Sequence, residues 1–153
     1  MANGLAKAFG SGARSGLGLR LMAACIGVFF IAMAFNKLGW FADGNLLLQR
    51  FERWAPNARP PVRWYLETIA IPGAPLFARL VPIAEFSVGT ALILGFWPRL
   101  VALLAVFMVL NFHFATASFW SWDFLRDGTG PPLIGGLLAL AIGGAKMPFC
   151  LRS

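Results

Sequence analysis

The chain has 153 residues, 59% of them hydrophobic and 12% charged. A soluble domain of this length carries about 25% charge, so the composition excludes an ordinary water-soluble globule and points to one compact polytopic membrane domain. A net charge of +7 would raise nucleic acid in a soluble protein. Here the Lys and Arg residues fall mainly between apolar runs, where they suit lipid headgroups and topology, and no basic helix or RNA-binding signature accompanies them. No nucleic-acid partner is expected.

Residues 1–18 are rich in Gly, Ala and Ser with Lys7 and Arg14, and read as a flexible tail ahead of a transmembrane domain at 19–149. The Gly10-Ser11-Gly12 triplet is no phosphate loop, because no strand precedes it. Arg20 opens the first apolar run, giving a span at about 20–37. Ala32-Met33-Ala34 resembles a signal-peptidase site after a basic start and an apolar core, but the run continues through it to Phe35, which favours a retained helix. Asn36 and Lys37 mark its exit.

A connection follows at 38–74. Asp43-Gly44-Asn45 is a helix start. Leu47, Leu48, Phe51 and Trp54 then share one face, with Gln49, Arg50, Glu52 and Arg53 mostly opposite, the pattern of a short amphipathic helix in the membrane surface. Pro56, Pro60 and Pro61 break it, Trp64 and Tyr65 suit interface anchors, and Ile69 to Ile71 can dip into the headgroup layer.

The second span, about 75–97, is long enough to cross the hydrocarbon, which takes roughly 20 apolar residues, yet it carries Arg79 and Glu85. Pro82 should kink it and free a carbonyl. Ser87, Ala91 and Gly95 repeat every four residues, a stripe of small side chains on which a neighbouring helix can pack closely. Pro98-Arg99 makes a tight turn into an antiparallel third span, about 99–119, which carries Asn111 and His113. A polar return with Asp123, Arg126 and Asp127 leads to Pro131, suited to a first helical turn, and to a fourth span at about 131–149 with a Gly135, Ala139, Gly143 stripe. The fold expected is all-α: a four-helix membrane bundle with an interfacial amphipathic helix between the first and second spans.

Four spans put both termini on one face. That face holds Lys7, Arg14, Arg20, Arg99, Lys146 and Arg152. The other holds Lys37, Arg50, Arg53, Arg59, Arg63, Arg79 and Arg126. The totals do not orient the chain, but the first group lies in short flanks, where the positive-inside rule applies best, so the termini are expected in the cytoplasm. Trp40, Trp54, Trp64, Trp120 and Trp122 crowd the opposite face, which makes it the thicker interfacial layer.

An intramembrane ionisable residue costs at least ~2.5 kcal/mol on insertion scales and normally faces protein or a water pocket. At ~1.5 Å rise per residue, Glu85 lies roughly 14 Å below the tryptophan-rich face, Arg79 roughly 5 Å, Asn111 roughly 12 Å and His113 roughly 9 Å. With Asn36 and Lys37, all six polar groups fall in one half of the membrane, on three helices. Glu85 and Arg79 are six apart and form no obvious same-face pair, so Lys37, Asn111 or His113 is the expected partner of Glu85. Three readings stay open: Glu85 bonds Asn111 and a kink carbonyl and merely holds the bundle; the cluster lines a pocket for a small polar or quinone-like ligand; or it moves protons or ions. The candidate ligand-binding residues are Lys37, Arg79, Glu85, Asn111 and His113. Glu85 and His113 are the candidates for any catalytic proton transfer.

The chemistry is bounded by what is missing from the sequence. One His cannot supply two histidine axial ligands to a haem. Cys25 and Cys150 form no Cys-x-x-Cys, no iron–sulfur set and no metal knuckle. No metal site is expected, and no cofactor held by this chain alone. Redox work would run through a bound quinone or a partner subunit.

Phe35-Asn36-Lys37-Leu38 closing the first helix, a Trp-rich connection, Pro82-Ile83-Ala84-Glu85 with Gly89 and Leu94-Gly95-Phe96 in the second, and Pro98-Arg99-Leu100 opening the third together resemble the DoxX/DoxD-like family of small four-helix bacterial and archaeal membrane proteins. The likeness covers about 19–147, on loose motifs whose strength is the order Lys, Glu, Gly, Arg across three helices. It implies a cell (inner) membrane protein associated with quinone-linked oxidoreductases, of the thiosulfate:quinone oxidoreductase or terminal quinol oxidase type, with membrane or peripheral oxidoreductase subunits as partners. Lys37, Glu85 and Arg99 carry over as family positions, none as an agreed catalytic residue. The alternative is a non-catalytic assembly or packing subunit.

Overall fold

The computed structural model describes residues 11–151. Lys7 and Arg152, counted above toward the basic face, lie outside the described residues, as do residues 1–10 of the expected tail and the side chains of Arg14 and Lys146. The described residues are mostly helical, with short turns between the helices and no strand. The helices are α1 (Ser11–Phe35), α2 (Gly39–Ala42), α3 (Asn45–Trp54), α4 (Pro60–Tyr65), α5 (Ala74–Leu94), α6 (Pro98–Ala115), α7 (Asp123–Arg126) and α8 (Pro131–Gly143). Short 3-10 turns follow α3, α6 and α8, and a π-helical turn, Leu66–Ala70, extends α4.

Three helical stretches are long and apolar enough to cross a membrane: Gly16–Ala42, Ala74–Leu94 and Pro98–Ala115. The fourth, Pro131–Gly143, is apolar but only 13 residues long. Gly144 to Lys146 continue it as a 3-10 turn before Pro148, so the helical part ends short of the expected 149. The N-terminal boundary also differs. α1 begins at Ser11, inside the stretch read as tail, and Gly16 is buried. Glycine weakens a helix in water by about 1 kcal/mol, but a membrane helix must satisfy its backbone internally and tolerates Gly where packing needs it.

α1 lies along α5, α6 along α8, and α8 also touches α1. The α1–α5 approach is set by two glycines. A Cβ on Gly89 would sit 2.6 Å from the Gly27 carbonyl oxygen, and one on Gly27 would sit 2.7 Å from that of Gly89. The buried face of α5 runs through Ala74, Ala78, Pro82, Glu85, Gly89 and Leu92, and the helix continues through Pro82. The small-residue stripe expected on this helix is therefore displaced: Ser87 is exposed and Ala91 half-buried. On α8, Gly135 and Ala139 are exposed, and nothing lies near a Cβ on Gly135, whereas Gly136 and Gly143 pack against Ile26 and Leu19 of α1. Four-residue spacing identifies a smooth face but not the direction in which it points.

Two apolar clusters result. One gathers Ala23, Ile26 and Phe30 of α1, Leu92 of α5, Ala102 to Val109 of α6 and Leu133 to Leu140 of α8. The other joins Trp40, Leu47, Phe51, Val62 and Leu66 of the connection to Ala74 and Ala78 of α5 and Ala115. The connection is thus a packed cap over one end of the helices. α3 starts where Asp43-Gly44-Asn45 predicts, with the Asp43 Oδ1 accepting from the Asn45 amide at 2.9 Å, and it buries Leu47 and Phe51. Prolines at the start of α4, α5, α6 and α8 occupy positions whose missing N–H costs no intrahelical bond.

At the opposite end, two arginines close helices. Arg20 donates from Nη1 to the Leu92 carbonyl at 3.2 Å and from Nη2 to that of Ile93. Arg99 donates from Nε to the Ala141 carbonyl at 3.1 Å. Each cation meets the carbonyl end of a helix, where the unsatisfied oxygens and the macrodipole favour positive charge.

Candidate functional site

Between the two apolar clusters lies a polar seam. On α1 and its exit, Lys37 falls between Phe30 and Trp40; on α5, Glu85 falls between Ala78 and Leu92; on α6, His113 falls between Val109 and Ala115. These three are the buried polar or charged residues among those described, with 7%, 3% and 6% of their surface exposed.

Lys37 and Glu85 meet. The ammonium donates to Oε1 at 2.7 Å and to Oε2 at 2.9 Å. A further contact to the Met33 carbonyl at 3.3 Å holds it against the last turn of α1, and it lies 5.8 Å from the Trp40 ring and 5.6 Å from the Phe112 ring, within cation–π range. Local geometry aims it inward. After Phe35 the backbone tightens: the Lys37 amide bonds the Ala34 carbonyl, that of Leu38 bonds Phe35, and that of Trp40 bonds Lys37. Three-residue turns bring side chains three apart into register, so Ala34, Lys37 and Trp40 are all buried. Lys37 therefore turns into the protein instead of snorkelling to the interface, the default for a lysine at a helix end.

The remaining candidates lie away from this pair. Asn111 is exposed and accepts from the Tyr65 hydroxyl at 2.9 Å, which ties α4 to α6. Arg79 is exposed on α5. His113 lies 2.8 Å from the Ser118 Oγ through Nδ1 and 2.8 Å from the Thr129 carbonyl through Nε2. A carbonyl can only accept, so Nε2 carries a proton, and the ring fastens α6 to the return loop. Phe124 and Phe119 pack against it. In that loop the Thr129 amide donates to Asp127 Oδ1 at 2.8 Å. This bond, then the Thr129 side chain and the charge of His113, hold the Asp127 carboxyl below the usual carboxylate range.

Among the described residues, four surface grooves stand out, and none of these four is lined by Lys37, Arg79, Glu85, Asn111 or His113. The largest of the four, about 690 Å³, lies between α6 and α8 at the arginine-capped end. One of about 270 Å³ runs between α1 and α5 past Ala34, Leu38, Pro82 and Ile83. Among the described residues no three His, Cys, Asp or Glu side chains gather as a metal site.

Sequence reasoning missed Trp40 and Phe112, which flank the ammonium, and Gly27, which lets α5 approach. Trp40 lies three residues beyond Lys37 and Phe112 next to Asn111, so proximity to flagged positions was the available signal.

Apolar helices with one buried Lys–Glu pair joining the first helix to the second match the family model for DoxX over residues 15–118, more than half of the chain. The chain belongs to the DoxX family. The matched region of this DoxX protein contains most of α1, all of α2 to α6 and both members of the pair, and ends before α7 and α8. No curated protein and no solved structure matches the chain.

Proposed function

We propose that this DoxX protein is a non-catalytic membrane subunit that assembles with a quinone-linked oxidoreductase of the inner membrane. In this reading α8, lengthened by its 3-10 turn, is a short fourth span, α3 lies in the membrane surface, and both termini face the cytoplasm. The observation that carries the proposal is the closure of the buried charge. Both oxygens of Glu85 are held by Lys37, and the pair is almost fully covered. A proton-transfer group needs a path to its substrate, whereas a lock across two helices needs to be sealed. The quinone link rests on the family resemblance.

A second reading places a quinone beside the pair. It is favoured by the groove between α1 and α5, whose walls Ala34 and Pro82 lie one helical turn from Lys37 and Glu85.

Two experiments decide. Purification in mild detergent should recover oxidoreductase subunits with the chain, and recovery of the chain alone overturns the subunit reading. Quinone reduction should be measured in membranes carrying Glu85→Gln and, separately, Lys37→Met with Glu85→Leu. Turnover retained in the charge-free double variant fits the assembly role. A double variant that assembles normally but turns over no quinone moves the assignment to the quinone site.

A further inference from the structure

The groove between α6 and α8 has a chemical polarity of its own. Its walls are Leu100 and Leu103 of α6 and Leu138, Ala141 and Ile142 of α8, and Arg99 stands at its mouth. It runs from the helix ends toward the membrane interior for roughly 10 Å, from Ala145 to Leu138 at ~1.5 Å per residue. Its volume, about 690 Å³, is within the ~300–1,000 Å³ usual for small-ligand clefts.

Arg99 is built into this position. Its Cγ lies against Gly144, where an added Cβ would meet it at 3.2 Å, and Nε is fixed to the Ala141 carbonyl. That is its one hydrogen bond among the described residues, which leaves both Nη groups for a ligand from outside. Charge complementarity names the ligand. All six acidic residues lie away from this end: Asp43, Glu52 and Glu67 in the α1–α5 connection, Glu85 against Lys37, and Asp123 and Asp127 in the α6–α8 connection. The Arg99 end carries Arg20 as well, and no acid.

We infer that this groove holds one anionic phospholipid, its phosphate on the Arg99 Nη groups and an acyl chain along Leu103 and Leu138. A guanidinium fork matches phosphate geometry, and basic pockets between membrane helices recognise anionic headgroups. The site is independent of the Lys37–Glu85 pair and of any oxidoreductase partner.

The test is native mass spectrometry of the full chain in mild detergent, titrated with dioleoyl phosphatidylglycerol or dioleoyl phosphatidylcholine. Wild type should retain one phosphatidylglycerol about tenfold more strongly than phosphatidylcholine, the scale of one charge-assisted hydrogen bond. Arg99→Gln should abolish the preference and Arg99→Lys keep part of it. Because Arg99 also closes α8, Ala145→Phe serves as the second variant: it fills the groove, leaves Arg99 in place, and should lose retention. Equal retention of the two lipids by wild type, full preference in Ala145→Phe, or displacement of the lipid by millimolar inorganic phosphate would each overturn the assignment.

Discussion

Removing one member of the Lys37–Glu85 pair should cost far more than removing both. Lys37→Met leaves a carboxylate with 3% of its surface exposed, roughly 14 Å below the interface by helical rise. Among the described residues it has no other hydrogen-bonding partner. Stranding one charge of a buried pair costs about 3–5 kcal/mol. Glu85→Leu strands the ammonium instead, but Lys37 lies two residues past the end of α1 on a four-carbon stem and can swing to the headgroups, so this variant should lose less, about 1–3 kcal/mol. Both changes together leave Met against Leu between two apolar clusters. Such replacement of an ion pair is commonly neutral or stabilising by about 1–4 kcal/mol. The assay is SDS titration in mixed micelles, with helicity followed by circular dichroism, for wild type and the three variants. The cycle should return a coupling of at least about 2 kcal/mol, with Lys37→Met the worst of the four. A double variant whose loss equals the sum of the singles would refute the claim that each residue is there to satisfy the other.

Four further outcomes follow from the packing and the loop. Gly89→Ala should destabilise by about 1–3 kcal/mol, because its Cβ would meet the Gly27 carbonyl and the Ile31 side chain at 2.6 and 2.7 Å. Gly135→Ala, with open space around it, should be neutral or slightly stabilising in the same titration. His113→Phe should leave the helices formed but release the return loop, seen as faster hydrogen exchange at 118–130, since both ring-nitrogen contacts end there; unchanged exchange would count against the tie. Asp127 is held below its ordinary value by the Thr129 amide, so its contribution is present above the unfolded value near ~3.9 and is lost as pH falls through the lower folded value. Thr129 amide protection should therefore persist at neutral pH and collapse only on strong acidification, and Asp127→Asn should remove that acid-side step.

How much of this was legible depends on what each signal measures. Hydropathy measures the solvent a segment can tolerate, so the apolar runs ending near Phe35, beginning near Ala74 and opening at Pro98 were readable. Proline marks a first turn for a local steric reason, so the start of α8 at Pro131 was readable too, whereas Pro98, expected in the turn before the third span, is the first residue of α6. The N-terminus was not, because glycine-rich sequence is a poor helix former in water and an acceptable one in lipid. Nor was the facing of the small-residue stripes: Gly27 with Gly89 and Gly135 with Gly143 look equivalent in sequence, and contact with a second helix separates them.

The site shows the same division more sharply. A carboxylate at the middle of a span requires a partner, and that requirement is set by desolvation, which sequence position reveals. Selection among Lys37, Asn111 and His113 is set by helix rotation, which it does not. Asn111 and His113 are two residues apart on α6, so roughly 200° separates them around the helix at 3.6 residues per turn; they could never both face Glu85. One turns outward to Tyr65 and the other toward the loop through Thr129, while Phe112 between them reaches the ammonium. Equal depth therefore gathers polar residues into one layer of the membrane without gathering them into one site. The short turn after Phe35 is what makes Lys37, the residue with the strongest default to leave, the one that stays.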